Sequence, residues 1–191
     1  MLNTLFPLDP IGPNGFSYFP DFISPGQEAM LLKIVREIDV QPMIFQGFEA
    51  KRKTKSFGYD YHFDSRRLVK GLPVPESLND LVYKVSAPLS IDPKEFAEVL
   101  VTEYPPGSVI NWHRDAPPFQ IIAGISLLSD CTFRFRPHEK SKQGRNTILS
   151  IPVERRSLYV LDGESRTDWE HSISPVANTR YSITLRTLRP S

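Results

Sequence analysis

A single cysteine, Cys131, stands in 191 residues, which excludes an internal disulfide and any zinc site built on thiolates. One buried-type thiol fits a reducing compartment. No apolar run approaches the ~20 residues that cross a bilayer. The first twelve residues also lack the basic stretch and apolar centre of a secretory leader. A cytoplasmic protein outside any membrane is therefore expected. Excess charge of one sign is missing too: 23 basic and 22 acidic side chains leave a formal net charge of +1, so bulk electrostatics name no partner. No repeat, low-complexity tract or linker divides the chain, and residues 1–191 are expected to form one domain with a sizeable core.

Charge is nonetheless unevenly placed. Residues 1–50 carry six acidic and two basic side chains, and residues 51–70 carry seven basic and two acidic. The excess includes Lys51-Arg52-Lys53-Thr54-Lys55, which reads either as a phosphate-facing stripe or as a solvated face.

Local patterns suggest the elements. Residues 1–20, rich in Pro, Gly and Asn, predict an irregular arm. Ser24-Pro25 before Glu28 to Arg36 predicts a helix with Ser24 as N-cap and Pro25 in first position. From residue 42 to 63 the pattern turns β-like, with Phe57, Tyr59, Tyr61 and Phe63 spaced to share one strand face. Residues 76–89 predict a second helix ending near Pro88. After Glu95 come short strands: Thr132–Arg136 and Arg180–Arg186 alternate strictly, Ser157–Leu161 is apolar, and Asp162-Gly163 marks a turn. Many short strands after two helices predict an α+β jelly roll with helical support on one side. Cys131, Trp112 and Trp169 read as packing residues.

The chemistry lies in a few spacings. His113 and Asp115 are two apart, so a strand would point both to one side, and His171 follows downstream. Two imidazoles and a carboxylate cap one face of an octahedral ferrous ion, leaving positions for a keto acid and dioxygen. In the last strand Arg180, Ser182, Thr184 and Arg186 share one face and Tyr181, Ile183 and Leu185 the other. Such a polar face either lines a pocket or belongs to a solvated edge strand.

Thr102-Glu103-Tyr104, Trp112-His113-Arg114-Asp115, Gly163-Glu164-Ser165-Arg166, His171 and Arg180-x-Ser-x-Thr-x-Arg186 together resemble the AlkB family of Fe(II)/2-oxoglutarate-dependent dioxygenases. Ser56-Phe57-Gly58-Tyr59-Asp60-Tyr61 is similar to the family's substrate-recognition lid, placed here at about residues 42–64. The resemblance covers about residues 15–189 and implies a double-stranded β-helix with supporting N-terminal helices.

It also implies roles. His113, Asp115 and His171 would bind Fe(II). Thr102, Tyr104, Arg180, Ser182 and Arg186 would hold 2-oxoglutarate, with Arg180 on the distal carboxylate and Arg186 near the metal-bound end. Ser182 and Thr102 stand where the family often has Asn, and their hydroxyls keep a hydrogen-bonding group. Tyr59, Tyr61 and Arg166 would contact the nucleotide, and Lys53 and Lys55 its phosphates. Phe45-Gln46-Gly47-Phe48 is a candidate wedge into a duplex. With dioxygen as co-substrate, the implied reaction demethylates N-alkylated bases in DNA, with RNA as an open alternative, releasing formaldehyde, succinate and CO2. No obligate protein partner is implied. Pro117 departs from the pattern, since several relatives have an acidic base-reading residue there. That departure keeps open oxidation of a protein side chain, and a non-catalytic jelly-roll binding module is the third reading.

Overall fold

Alternation along the strands sorts the side chains into two cores, one on each side of a large antiparallel sheet. The computed structural model describes residues 12–45, 48–62 and 65–190. Its strands are β1 (Phe16–Phe19), β2 (Gln41–Phe45), β3 (Phe48–His62), β4 (Arg67–Lys70), β5 (Phe96–Tyr104), β6 (Ile110–His113), β7 (Phe119–Leu127), β8 (Cys131–Pro137), β9 (Leu149–Val153), β10 (Leu158–Leu161), β11 (Trp169–Ile173) and β12 (Arg180–Leu188). Its helices are α1 (Pro25–Glu37), α2 (Asn79–Leu89) and the short α3 (Gly163–Thr167).

The major sheet runs β1-β10-β7-β12-β5-β3-β2, with β4 attached to β3, and the minor sheet runs β6-β11-β8-β9. On one side of the major sheet, Val99, Val101, Ile183 and Leu185 pack against Leu31 and Val35 of α1 and Leu81 and Val85 of α2. On the other, Phe119, Ile122 and Tyr159 meet Phe133, Phe135 and Ile151 of the minor sheet. This is the jelly roll with helices on one side that the pattern of elements predicts.

Ser24 caps α1 with a capping box to Gln27, and Pro25 takes the first turn, where its missing N–H costs nothing. Glu28 of this helix is buried. It accepts hydrogen bonds from the Leu128 amide (2.9 Å) and from Arg155 Nε (3.1 and 3.2 Å), fixing the helix to the far ends of β7 and β9. Three local expectations need correction. The arm is irregular only in part: residues 1–11 lie outside the description, but Phe16–Phe19 pairs with β10, because Phe16 buries its ring on Phe135 at 5.0 Å. Asp162-Gly163 does not end in a simple turn; Asp162 caps α3, which carries Arg166.

The third concerns the aromatic ladder. Phe57 packs in the helix-side core, while Tyr61 packs against the core on the opposite side of the sheet. The strand changes partner between them, pairing with β5 up to Gly58 and with β4 from Tyr59. Gly58 makes the crossover at φ +81°, and a Cβ there would lie 2.2 Å from the Ala97 carbonyl oxygen. Phe63, Gln46 and Gly47, with the side chains of Phe45 and Phe48, lie outside the described residues.

Candidate active site

Between the two sheets lies a cavity of about 530 Å³ whose wall includes His113, Asp115, His171, Thr102, Tyr104 and Arg186. His113 ends β6 and His171 lies on β11, where the two are direct cross-strand partners. Their rings are 4.3 Å apart. Asp115 sits just beyond the end of β6 and still turns to the same side. The three offer ligand atoms that all lie within 4.8 Å of one another.

Surrounding contacts prepare each donor. His113 Nδ1 is 2.8 Å from the Asn111 carbonyl, which can only accept, so Nδ1 donates there and Nε2 is the nitrogen left to hold a metal. His171 is wedged against Phe133 and Phe135, and burial, with His113 alongside, pushes its pKa down to about 3, leaving it neutral. Burial works against ionisation of Asp115, but Arg186, His171 and His113 outweigh it and hold the carboxyl well below the usual carboxylate range. Its Oδ1 accepts from Arg186 Nη2 at 3.0 Å. Its Oδ2 is buried without a hydrogen bond, 3.5 Å from His171 Nε2. A buried anionic oxygen beside two imidazoles is a donor set suited to a divalent cation such as Fe(II).

The second half of the site is a ladder between β12 and β5. Arg180 pairs with Tyr104, Ser182 with Thr102 and Arg186 with Glu98. Because β12 lies between β5 and β7, the solvated-edge reading of its polar face falls away. Arg180 has no solvent exposure; its Nε donates to Ser126 Oγ at 3.1 Å and its Cζ lies 4.8 Å over the Tyr104 ring. Neither Nη of Arg180 has a hydrogen bond. The Tyr104 hydroxyl is 3.4 Å from Ser182 Oγ. A permanently charged guanidinium with two buried unpaired nitrogens calls for an anion, and a dicarboxylate reaching from the metal donors towards Arg180 supplies one. The residues present thus fit both Fe(II) and 2-oxoglutarate.

Other expected site residues are placed differently. Arg52 and Thr54 face the cavity, so alternation turns Lys53 and Lys55 away from it. Lys53 meets Glu103 at 3.5 Å on that far face. Tyr61 lines the cavity, as do Asp60 and His62, but Tyr59 does not. Arg166 does not reach outward from α3. It is buried and donates to the carbonyls of Asp115 (3.4 Å), Ala116 (3.0 Å) and Phe119 (2.8 Å), clamping the loop that follows the His-x-Asp step. Pro117 is exposed on that loop. Trp112 is a packing residue, stacked under Arg134 and Arg136 at 5.0 and 4.6 Å.

Sequence reasoning missed Glu98, Ser126, Tyr159 and the inward-facing Arg52. Glu98 had a signal: it precedes Tyr104 by six residues, as Arg186 follows Arg180 by six, so any register pairing Arg180 with Tyr104 pairs the other two. Tyr159 had one only in retrospect. Its ring fills the space above Gly124, where a Cβ would approach Tyr159 Cζ to 2.1 Å.

Known proteins agree with this geometry. The family model described as the 2OG-Fe(II) oxygenase superfamily matches residues 15–187. The tRNA (carboxymethyluridine(34)-5-O)-methyltransferase alkbh8 of Xenopus tropicalis is 27% identical over 176 residues, covering 88% of this chain and 26% of its own length. RNA demethylase ALKBH5 of Bos taurus is 31% identical over 129 residues, 61% of this chain and 31% of its own. The chain thus spans only about a quarter to a third of these relatives. The solved structure of OsALKBH1 superposes with a TM-score of 0.71 at 13% identity, covering 91% of this chain and 96% of that one, which speaks to the fold.

Proposed function

Because the chain belongs to the 2OG-Fe(II) oxygenase superfamily, on its AlkB-like side, we propose that it oxidatively demethylates N-alkylated bases of DNA or RNA. It is a 2-oxoglutarate-dependent dioxygenase with Fe(II) and 2-oxoglutarate as cofactors. With both bound, dioxygen would be the oxidant: 2-oxoglutarate would take up one of its oxygen atoms as it loses CO2 to give succinate, and the other atom would hydroxylate a C–H bond.

In this reading His113, Asp115 and His171 hold the metal. Arg180 receives the distal carboxylate on its two Nη groups, with the hydroxyls of Tyr104, Ser182 and Thr102 alongside. Arg186 fixes Asp115 through Oδ1 and stands at the metal-bound end of the cofactor. The observation that carries the substrate class is the wall of the cavity beside the triad, where β3 contributes Tyr61, Asp60 and His62. Tyr61 offers a face on which a base turned out of its stack can lie, offsetting part of the few kcal/mol that extrusion costs. Asp60 and His62 supply acceptor and donor groups for a base edge, a task Pro117 cannot perform. Arg52, not Lys53 or Lys55, is the basic group of its run that meets the substrate. The names of the relatives, an RNA demethylase and a tRNA-modifying protein, support a nucleic-acid substrate.

The test incubates the protein with Fe(II), ascorbate, 2-oxoglutarate and DNA or RNA oligonucleotides carrying 1-methyladenine or 3-methylcytosine, then weighs the products. Release of formaldehyde and loss of one methylene from either oligonucleotide, dependent on 2-oxoglutarate, is the expected outcome. Succinate formation with every oligonucleotide unchanged places the substrate outside these nucleic acids.

A further inference from the structure

One acidic side chain at the site has no part in the roles assigned above. Glu98 is 2% exposed and stands on the cavity face of β5, paired with Arg186 of β12 on one side and Gly58 of β3 on the other. Its two oxygens are divided between those neighbours. Oε2 accepts from Arg186 Nη1 at 2.7 Å, and Oε1 accepts from Ser56 Oγ at 2.6 Å. The single Ser56 hydroxyl proton is shared with the Tyr59 carbonyl, 3.0 Å away. Arg186 turns its Nη2 to Asp115 Oδ1, and its Nε is buried without a hydrogen bond. A continuous polar chain therefore runs from the Tyr59 backbone through Ser56, Glu98 and Arg186 to Asp115.

The division of Arg186 is the informative part. A guanidinium facing one carboxylate favours the two-pronged fork in which both carboxylate oxygens are taken. Here two carboxylates share the guanidinium, one nitrogen each, and Asp115 Oδ2 is left without a hydrogen bond. We propose that Glu98 is a positioning residue: by holding half of Arg186 it keeps Asp115 Oδ2 available as a metal ligand, and through Ser56 it ties the β3 segment at the cavity mouth to the metal centre. The inference rests on the metal assignment made under Proposed function.

Metal-free protein is titrated with Co(II), read by calorimetry and by the visible absorption of the bound ion, while amide exchange is followed in residues 56–62. Glu98→Met removes both acceptor oxygens and frees Arg186 to fork onto Asp115, so Co(II) affinity falls about 10- to 100-fold, the usual span for a lost outer-sphere partner. Should that variant fail to fold, Glu98→Asp keeps the charge but withdraws it by one methylene, and a several-fold loss is expected. Parent-like affinity and spectrum in the folded variant overturn the first half of the proposal. Ser56→Ala is expected to keep Co(II) affinity within about twofold but to lose the protection of residues 56–62 that Co(II) confers on the parent. Protection that persists in Ser56→Ala, or is missing in the parent, overturns the second half. Asp115→Ala separates the premise from the inference: if it binds Co(II) like the parent, the metal assignment itself has failed.

Discussion

Replacing Arg180 with methionine sets the two halves of the argument against each other. In the protein without 2-oxoglutarate the guanidinium is fully buried, holds Ser126 with Nε, and has no hydrogen bond at either Nη. A linear apolar side chain of similar length removes that buried charge at the loss of one charge-assisted hydrogen bond, worth about 1.5–3 kcal/mol, and of the contact with the Tyr104 ring. Replacing buried charge by well-packed apolar groups is often neutral or stabilising by ~1–4 kcal/mol. The ligand-free variant is therefore expected to melt at or above the parent temperature. Binding moves the other way. Two charge-assisted hydrogen bonds of about 1.5–3 kcal/mol each are lost, roughly 3–6 kcal/mol together, or two to four decades in Kd. With Zn(II) in place of iron, so that nothing turns over, 2-oxoglutarate at a hundred times its Kd adds ~2.7 kcal/mol to the parent, a rise of roughly 5–10 °C. The variant shows no such rise. Calorimetric titration and thermal melts with and without 2-oxoglutarate decide the matter. A variant that melts several degrees lower without the ligand, or binds it within tenfold of the parent, refutes the reasoning.

Three further outcomes are expected. His171 is pushed from 6.5 to about 3, so below pH ~6.5 the unfolded metal-free chain takes up a proton that the folded site refuses. Stability then falls with pH by up to about 1.4 kcal/mol per unit, and Asp115, also held low, adds to the fall below about pH 4. Melts at pH 7, 6 and 5 should show that slope, flattened in His171→Asn; a level parent curve removes the argument. Arg52→Gln should slow turnover of methylated oligonucleotide at least several-fold, while Lys53→Gln with Lys55→Gln stays within about twofold of the parent; the reverse ranking would return the phosphate role to the lysines. Gly58→Ala should cost about 2 kcal/mol or more in denaturant unfolding, from its φ of +81° and the approach to Ala97, and a cost under about 0.5 kcal/mol contradicts the crossover.

What the chain disclosed in advance follows from how local each signal is. The cap of α1 is written in four consecutive residues. The polar face of β12 is written in strict alternation, so its inward direction needed only the knowledge that β12 is a central strand. The metal donors were visible as residue types, but their convergence depends on β6 pairing with β11, which no local pattern specifies. The turn of Lys53 and Lys55 away from the cavity was hidden for a related reason: alternation separates them from Arg52 but does not say which face meets the cavity. Phe57 and Tyr61 part company because period two does not carry through Gly58, where the strand changes partner, and Tyr59, next to that crossover, does not line the cavity. Arg166 was placed by family resemblance alone, and nothing in Gly163-Glu164-Ser165-Arg166 announces a one-turn helix that directs its side chain into a loop.

The change of partner at Gly58 bears on how such a protein can acquire new preferences. Residues 53–58 are committed to β5, and through it to the ladder that holds Arg180 and Arg186. Residues 59–62 pair only with β4, whose other side carries no further strand among the described residues. Substitutions on this outer stretch, Tyr61 excepted for its packing, reshape the rim of the cavity without disturbing the scaffold that sets the chemistry. Side-chain changes in this short tract can therefore alter what the cavity admits while the contacts around the metal donors and Arg180 are kept.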